Sequence, residues 1–519
     1  MLKSGKGVFR RLLSTKSLPF EGNLKRKSND NKDLMLSILK LTTTKRETNN
    51  YLNKYSSFSK ASNLDKSEIP PPLRLVVIKI KGNVLNYEES ELRKFNKTLD
   101  YIQKLGASPL LLIDADFLHD RYDLNFSKID NYLSDQYNYL NKCLEDKKLL
   151  TVTPVRCILS KNEQTDTELD IPEMILNPLK QDQVPILFPY VFAHKFGREV
   201  IYQSKDYLKV LIQNLSKLNS QTGNTLLTVE KLIFIDRLGG PPSIERGNAS
   251  HVYINLNQEY ERIMSELNIG HLSITEKASH IKNLEDLKDI LTSTNNELTG
   301  IITTLPIANE NLNLNPIIYN ILTDRTLVSS SLPITKFQNK QDITTRVSKT
   351  SIIRGGLEIH SFKKIDDGID IKKFKHLIDT SFKRSLNLDH YLSRIEPILS
   401  QVIIVGDYEG IAIVTNEKSP TTGEVIPYLD KFAVSREAQG SLNIADIIVN
   451  ILRRDYKDGL LWRSRKVNPV NGWYFQRSDG SLNLQDSEFR IFWIGKGIDK
   501  VKLQTFVEIG KSIKPSWDK

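Results

Sequence analysis

Leu75-Val76-Val77-Ile78-Lys79-Ile80 is an almost unbroken apolar run, rich in β-branched residues, that stops at Gly82. A strand of that composition offers no face to water, so it belongs inside a sheet covered on both sides. An amphipathic stretch to about Leu105 and a second run, Leu110–Ile113, repeat the arrangement. Further runs at Lys231–Ile235, His251–Ile254 and Gly300–Thr304 are separated by helix-length segments. The series reads as βαβ units, so residues 73–335 are expected to form an α/β domain around a mostly parallel sheet. A polar, aperiodic stretch at 336–350, rich in Lys, Gln and Thr, reads as a linker. A smaller α+β unit is expected over 351–519. Its helices fall near Lys372–Arg384, Leu388–Leu399 and Leu442–Arg454, and its strands at Gln401–Val405, Gly410–Thr415, Tyr428–Val434 and Leu460–Arg465.

Two domains also suit the length of 519 residues. The chain has no apolar run long enough to span a membrane, and no membrane role is expected. A net charge of +11 raises nucleic acid as a partner, but Lys and Arg are spread along the chain among 62 acids. A solvated basic surface accounts for that pattern without any nucleic acid. Cys143 and Cys157 are the only cysteines, too few for a disulfide framework or a metal-binding spacing, so no metal is expected.

The first twenty residues stand apart. Lys3, Lys6, Arg10, Arg11 and Lys16 precede the first acid, Glu21, while Phe9, Leu12 and Leu13 would share one helical face. A short basic amphipathic helix of this kind fits a mitochondrial presequence over 1–20, cut between residues 10 and 40, and hence a matrix protein. A disordered basic tail is the alternative. Residues 21–72, polar and ending in Pro70-Pro71-Pro72, read as a tether, with one amphipathic helix near Leu34–Leu41.

The segment that points to a chemistry is Tyr428–Tyr474. A helix starting near Ser441, after the turn Gln439-Gly440, would present free backbone N–H groups suited to a pyrophosphate, although a glycine there also makes an ordinary turn. Asp446 in its first turn and Arg453 and Arg454 in its last suit the helix dipole, and Ile444, Ile448, Ile451 and Leu452 form its apolar stripe. Arg463 and Arg465 alternate along a strand and so share a face. Two adjacent guanidiniums repel unless an anion joins them, and each matches a carboxylate in bidentate fashion. Pairing with acids of a neighbouring element would satisfy them equally. Asn468 could hold an amide-rich cofactor arm, and Tyr474, near the start of a helix after Pro469, could protonate a leaving thiolate or simply pack beside Trp473 and Phe475.

The strand, glycine turn and helix followed by Asn468 and Tyr474-Phe475 resemble the GNAT acetyltransferases. Tyr428-Leu429-Asp430-Lys431-Phe432-Ala433-Val434, Trp462-Arg463-Ser464-Arg465 and Asn468-Pro469-Val470-Asn471-Gly472-Trp473-Tyr474-Phe475 resemble the N-acetylglutamate synthases of fungal and vertebrate mitochondria. Leu238-Gly239-Gly240-Pro241-Pro242-Ser243 and Asn315-Pro316-Ile317-Ile318-Tyr319-Asn320 extend the likeness to the first domain, which resembles the amino-acid kinase fold.

The resemblance implies transfer of acetyl from acetyl-CoA to the α-amino group of L-glutamate, the first step of arginine biosynthesis. It places the pantetheine arm along the strand, through Phe432 and Val434, and the pyrophosphate at the 437–442 loop, through Gln439, Gly440 and Ser441. Lys431, Arg463 and Arg465, with Arg384 as a weaker candidate, would hold the glutamate carboxylates. Asn468 would orient cofactor or substrate, and Tyr474 would be the acid. Asp430, or a water relayed through it, is the candidate base, although Lys431 beside it would depress its pKa.

In the first domain, Lys81 stands where such kinases carry a glycine, and Asp114-Ala115-Asp116 replaces a glycine run. Two carboxylates there would repel ATP phosphates, so phosphoryl transfer is not expected. The resemblance implies instead a sensor for inhibitory L-arginine, a homo-oligomer and contact with acetylglutamate kinase. Two other readings are an active kinase fused to a degraded transferase, and a non-catalytic regulatory partner of acetylglutamate kinase. The first requires glycine loops that are absent. The second predicts loss of Arg463, Arg465 or Tyr474, all of which are present.

Overall fold

The computed structural model describes residues 72–518, except 120–124, 146–149, 163–166, 223–225, 248, 295–297, 333–347, 367, 437 and 440–442. The expected presequence, nearly all of the tether and most of the 336–350 linker lie outside the described residues. Pro72–Gln103 and Ala107–Lys519 form one compact unit, which holds the two large sheets described here.

Eight strands make the first sheet: β1 (Leu73–Ile80), β2 (Ala107–Ile113), β3 (Val152–Val155), β4 (Val184–Leu187), β5 (Leu227–Ile235), β6 (Tyr253–Asn255), β7 (Thr299–Thr303) and β8 (Ser351–Arg354). Their order is β6-β8-β7-β5-β1-β2-β4-β3. β1 runs parallel to both neighbours, β2 and β5, and Leu75 to Ile78 are wholly buried, as its unbroken apolar run requires. Helix α1 (Glu89–Lys104) makes the crossover from β1 and buries Leu92, Phe95, Leu99 and Ile102, spaced by three and four residues on one face. A four-stranded satellite sheet (159–161, 168–169, 190–193 and 198–201) has no counterpart in the sequence reading. Its strands, like β3 and β4, are two to four residues long, too short to show a period.

One boundary needs correcting. Residues 351–354 were expected to open the second domain, but β8 completes the first sheet, parallel to β6 and antiparallel to β7. Ile352 and Ile353 are buried there. The chain approaches β8 against the Gly239-Gly240 turn: Gly240 N–H donates to Lys349 O at 2.9 Å. A Cβ on Gly240 would lie 2.0 Å from Ser351 Oγ, so this position admits no side chain.

The second sheet holds β9 (Ile359–Phe362), β10 (Leu399–Val405), β11 (Gly410–Lys418), β12 (Val425–Val434), β13 (Leu460–Arg465), β14 (Gly480–Asn483) and β15 (Phe489–Ile494), in the order β9-β10-β11-β12-β13-β15-β14. All its pairings are antiparallel except β12 with β13. Helices α2 (Ile371–Phe382) and α3 (Leu388–Ile395) cover one face through Phe374, Ile378 and Tyr391, which pack on Ile411, Ile413 and Ala433. Helix α4 (Ile444–Asp455) lies on the opposite face, with Ile444 and Ile448 seated over Gly410. It is followed by α5 (Asn471–Arg477) and α6 (Lys500–Ser512), and Phe506 and Ile509 of α6 pack on Tyr428 and Leu461.

Gly240→Ala is expected to cost about 1–3 kcal/mol through overpacking against β8. The check is a lowered denaturant midpoint at unchanged slope. An unchanged midpoint would show that the approach is looser than described.

Candidate acyl-transfer site

β12 and β13 are neighbours, yet the only ladder pair between them among the described residues is Tyr428 with Leu461. From Leu429 onward β12 presents an unpaired edge to a cleft, the kind of edge to which an extended, amide-bearing ligand adds as a further strand. A small cavity, open to solvent at its mouth, lies in the cleft and is lined by Leu429, Phe432, Leu452, Trp462, Trp473 and Tyr474.

A β-bulge sorts the side chains of β12. Lys431 pairs with Ile413 and Leu429 with Val414, which leaves Asp430 as the extra residue. Leu429 and Phe432 therefore face the cavity and α4, whereas Asp430, Lys431 and Ala433 face α2 and α3. Along β13, Leu460 and Trp462 face the cavity. Leu461 and Arg463 face α6, where Arg463 Nη1 donates to Gly510 O at 2.7 Å and the guanidinium lies 4.5 Å from the Phe489 ring. By alternation Arg465 shares that face. Lys431, Arg463 and Arg465 thus occupy one face of the sheet, and Tyr474 and Trp473 the other.

Neither Arg463 nor Arg465 makes an ion pair among the described residues, and Arg465 is exposed. Lys431 is bound differently: its ammonium donates to Asp430 at 2.7 Å and sits 4.7 Å from the Tyr391 ring and 5.4 Å from Trp517. Trp517 reaches this position because the C-terminal segment returns to α2, with Leu386 and Trp517 forming an isolated bridge. Sequence reading missed this residue. It lies 86 positions from Lys431 and has no periodic neighbour that would betray the contact.

Tyr474 packs edge-on to Trp462 and Trp473, with ring centroids 5.6 Å away in each case. Tyr474 is half-buried, and desolvation raises its pKa above the usual phenol value. Such a phenol remains protonated at neutral pH. Trp473 also stacks on Phe432 across the cleft, 5.8 Å between centroids at 18°.

Several expected roles change. Asp430 is buried and accepts from Tyr391 Oη at 2.8 Å, from Lys431 and from Arg394. Burial opposes its charge, but Lys431 and Arg394 overcome that effect and hold the carboxyl at about 2. Caged in this way it is an anchor for Lys431 and cannot act as a base near neutral pH. Asn468 is half spent on local structure: its Nδ2 donates to Ser464 Oγ at 2.9 Å, and its Oδ1 accepts from Val470 N at 3.1 Å. Arg384 is exposed beyond α2, and no described contact joins it to Lys431 or the arginine pair.

Gln439 spends its backbone N–H on Ser435 O and one of its two Nε2 hydrogens on Val434 O, which leaves one side-chain N–H for a ligand. Val434 O is shared between Gln439 and Ser381. Gly440 and Ser441 lie outside the described residues. α4 begins at Ile444, later than Ser441, after Asn443 turns the chain at φ 53°.

Charged groups also gather where β1 and β2 end. Lys79, buried mid-sheet, donates to Asp116 Oδ2 at 2.6 Å and lies 3.4 Å from Asp114. The Gly82 N–H donates to Asp114 Oδ2 at 2.8 Å, and Ser204 donates its N–H to Asp116 and its hydroxyl to Asp114. Lys81 reaches Asp236 at 3.0 Å and Asn283 Oδ1 at 2.7 Å. The groups that would face a phosphate are committed to internal carboxylates. Nearby, burial raises the Asp286 carboxyl to about 6, against the lowering influence of Lys79.

Because the folded pKa of Asp430 lies below its ordinary 3.8, its contribution to stability is present above about pH 4 and is lost as pH falls toward 2. The shift corresponds to roughly 2 kcal/mol. Asp430→Asn should therefore flatten the fall in unfolding free energy between pH 4 and 2 relative to the parent. Parallel curves would mean that Asp430 is not the charged anchor described.

Residues 358–513 match the family model of the N-acetyltransferase domain of N-acetylglutamate synthase. The mitochondrial amino-acid acetyltransferase of Candida albicans is 36% identical, covering 94% of this chain and 96% of its own length. That of Yarrowia lipolytica is 31% identical over 94% of this chain and 93% of its own. A solved N-acetylglutamate synthase from Neisseria gonorrhoeae, complexed with coenzyme A and N-acetyl-glutamate, is a looser likeness. It has a TM-score of 0.46 at 12% identity, covering 85% of this chain and 98% of that one. With a cleft between β12 and β13, unpaired arginines on one face and a protonated tyrosine on the other, and relatives alike over nearly its whole length, this chain belongs to the mitochondrial amino-acid acetyltransferases.

Proposed function

We propose that the amino acid is L-glutamate and that the reaction forms N-acetylglutamate from acetyl-CoA in the mitochondrial matrix, the entry to arginine biosynthesis. The observation that carries this reading is the cationic face made by Lys431, Arg463 and Arg465, in which the two arginines have no acid partner among the described residues. A small acceptor with two carboxylates would supply the missing counter-charges, whereas a protein lysine would add a fourth cation.

The roles follow from the two faces of the cleft. Arg463 and Arg465 bind the glutamate carboxylates on the α6 side. Lys431, held by Asp430 and flanked by Tyr391 and Trp517, adds a third fixed charge. The open edge of β12 beyond Leu429 receives the pantetheine arm. The start of α4 receives the pyrophosphate, because the N–H groups of its first turn have no helical acceptors. Bound glutamate is thereby placed with its amine at the gap between the strands, facing the thioester carbonyl. The amine attacks as the neutral species, and its proton leaves through water, because Asp430 is a cage anion at about pKa 2. Tyr474 donates its proton to the departing sulfur. Alignment of the reacting groups supplies much of the rate, and the positioned acid contributes about 10²–10⁴-fold.

In the same reading the first-sheet region is a regulatory domain that binds L-arginine, associates with further copies of itself and contacts acetylglutamate kinase. Support comes from the committed state of Lys79, Lys81, Asp114 and Asp116, which leaves that region suited to binding rather than to phosphoryl transfer.

The test is release of CoA thiol by the purified protein with acetyl-CoA and each of several amino acids. Turnover is expected with glutamate alone, suppressed by arginine and without ATP consumption; turnover with neutral or basic amino acids would overturn the substrate. Arg465→Ala should raise the KM for glutamate about 10–100-fold, the worth of a charge-assisted pair, and leave the KM for acetyl-CoA near its parent value. Trp517→Ala should raise the glutamate KM about 2–10-fold through a looser Lys431, while Trp517→Phe retains the ring face and most of the affinity. Equal effects of these variants on both substrates would contradict the division of faces.

A further inference from the structure

The helix that follows the phosphate-facing loop carries an acid in its first turn, Asp446, where a negative charge opposes a bound phosphate. Sequence reading assigned Asp446 to the helix dipole. In the structure it is buried and bound by three groups from outside its helix. Ser329 Oγ donates to Oδ2 at 2.7 Å, Ser331 Oγ donates to Oδ1 at 2.6 Å, and Arg477 Nη2 donates to Oδ1 at 3.1 Å. Arg477, 4% exposed, also donates to the same two hydroxyls, from Nε to Ser331 at 2.6 Å and from Nη2 to Ser329 at 2.7 Å. Each serine thus accepts from the guanidinium and donates its one O–H to the carboxylate.

Two features give this cluster consequence. Ser329 and Ser331 lie outside the 358–513 acetyltransferase match, on the stretch of chain between β7 and β8 of the first sheet. Arg477 sits in α5, three residues after Tyr474. Its guanidinium lies 4.0 Å from the Trp473 ring, and its Nη1 donates to Trp473 O at 3.3 Å. Trp473 in turn stacks on Phe432 of β12. A chain of contacts therefore runs from the serines through Arg477 to the residues on either side of the cleft.

We infer that Ser329 and Ser331 are positioning residues for acetyl transfer: a segment outside the transferase domain locks Arg477 onto Asp446 and so fixes α5 with Tyr474 at the thioester. Without the hydroxyls, Arg477 retains a single 3.1 Å contact to Asp446, its Nε is left buried without an acceptor, and α5 is free to shift. A displacement of about 1 Å at the acid is enough to lower a rate by about 10²-fold. The cations that bind glutamate lie on the opposite face and do not depend on this cluster. The inference rests on Tyr474 as the acid.

The experiment is a kinetic double-mutant cycle in the full-length chain, with Ser331→Ala, the milder Ser329→Ala and Tyr474→Phe, each checked for folding by thermal melt. Ser331→Ala is expected to lower kcat about 10–100-fold, and Ser329→Ala about 3–10-fold, with the glutamate KM within about twofold of the parent. In the Tyr474→Phe background the same serine changes should have almost no further effect on kcat, because they act through the lost hydroxyl. If Tyr474→Phe is slow and the serine losses multiply with it unchanged, the positioning role is overturned and the acid is retained. If Tyr474→Phe turns over at the parent rate, the acid assignment itself fails.

Discussion

The divergence of β12 from β13 after a single ladder pair is the constraint on which the rest of the catalytic region depends. Adjacent parallel strands normally continue their hydrogen bonds, and leaving a strand edge open costs free energy unless something covers it. The bulge at Asp430 starts the divergence by inserting one unpaired residue opposite Val414 and Ile413. The same insertion inverts the side-chain alternation, so Lys431 turns toward α2 and α3 while Phe432 turns toward α4. One irregularity thus coincides with the open edge of β12 and separates the face carrying Lys431 from the face carrying Phe432 and, beyond it, Tyr474.

Electrostatics then distinguishes the two charged clusters. Around Asp430 the protein satisfies its own charges: one carboxylate takes donors from Tyr391, Arg394 and Lys431. Around Arg463 and Arg465 it does not: among the described residues neither guanidinium has an acid partner, and Arg463 is held only through Gly510 O and the Phe489 ring. The contrast between a closed and an open cluster within one sheet is what supports the proposed carboxylate site, more than the mere presence of basic residues. The first sheet supplies the opposite case, because Lys79, Lys81, Asp114, Asp116 and Asp236 neutralise one another where phosphates would otherwise lie.

Much of the second sheet was legible in the sequence. The strand expected at 460–465 has its observed bounds, that expected at 428–434 lacks only the first three residues of β12, and the placing of Arg463 and Arg465 on one face follows from a period of two. Three things could not be read. β8 is four residues long and joins the first sheet through β7 and β6, segments about fifty and about a hundred residues earlier. Trp517 meets Lys431 because the C-terminal segment folds back, which leaves no local pattern. Asp446 looked like an ordinary first-turn acid, and nothing in its neighbourhood announces Arg477, Ser329 or Ser331. Adjacency to Lys431 already argued against Asp430 as a base; the structure adds Arg394 and Tyr391 and turns the residue into an anchor.

The central claim is that glutamate and the thioester approach the gap between β12 and β13 from opposite faces of the sheet. A crystal structure of the full chain with coenzyme A and N-acetylglutamate tests it most directly. The account predicts the product carboxylates on Arg463 and Arg465 beside α6, and the CoA sulfur within hydrogen-bonding distance of the Tyr474 hydroxyl on the side of α4. Product bound on the α4 side, with both arginines turned to acids of the protein, would contradict it.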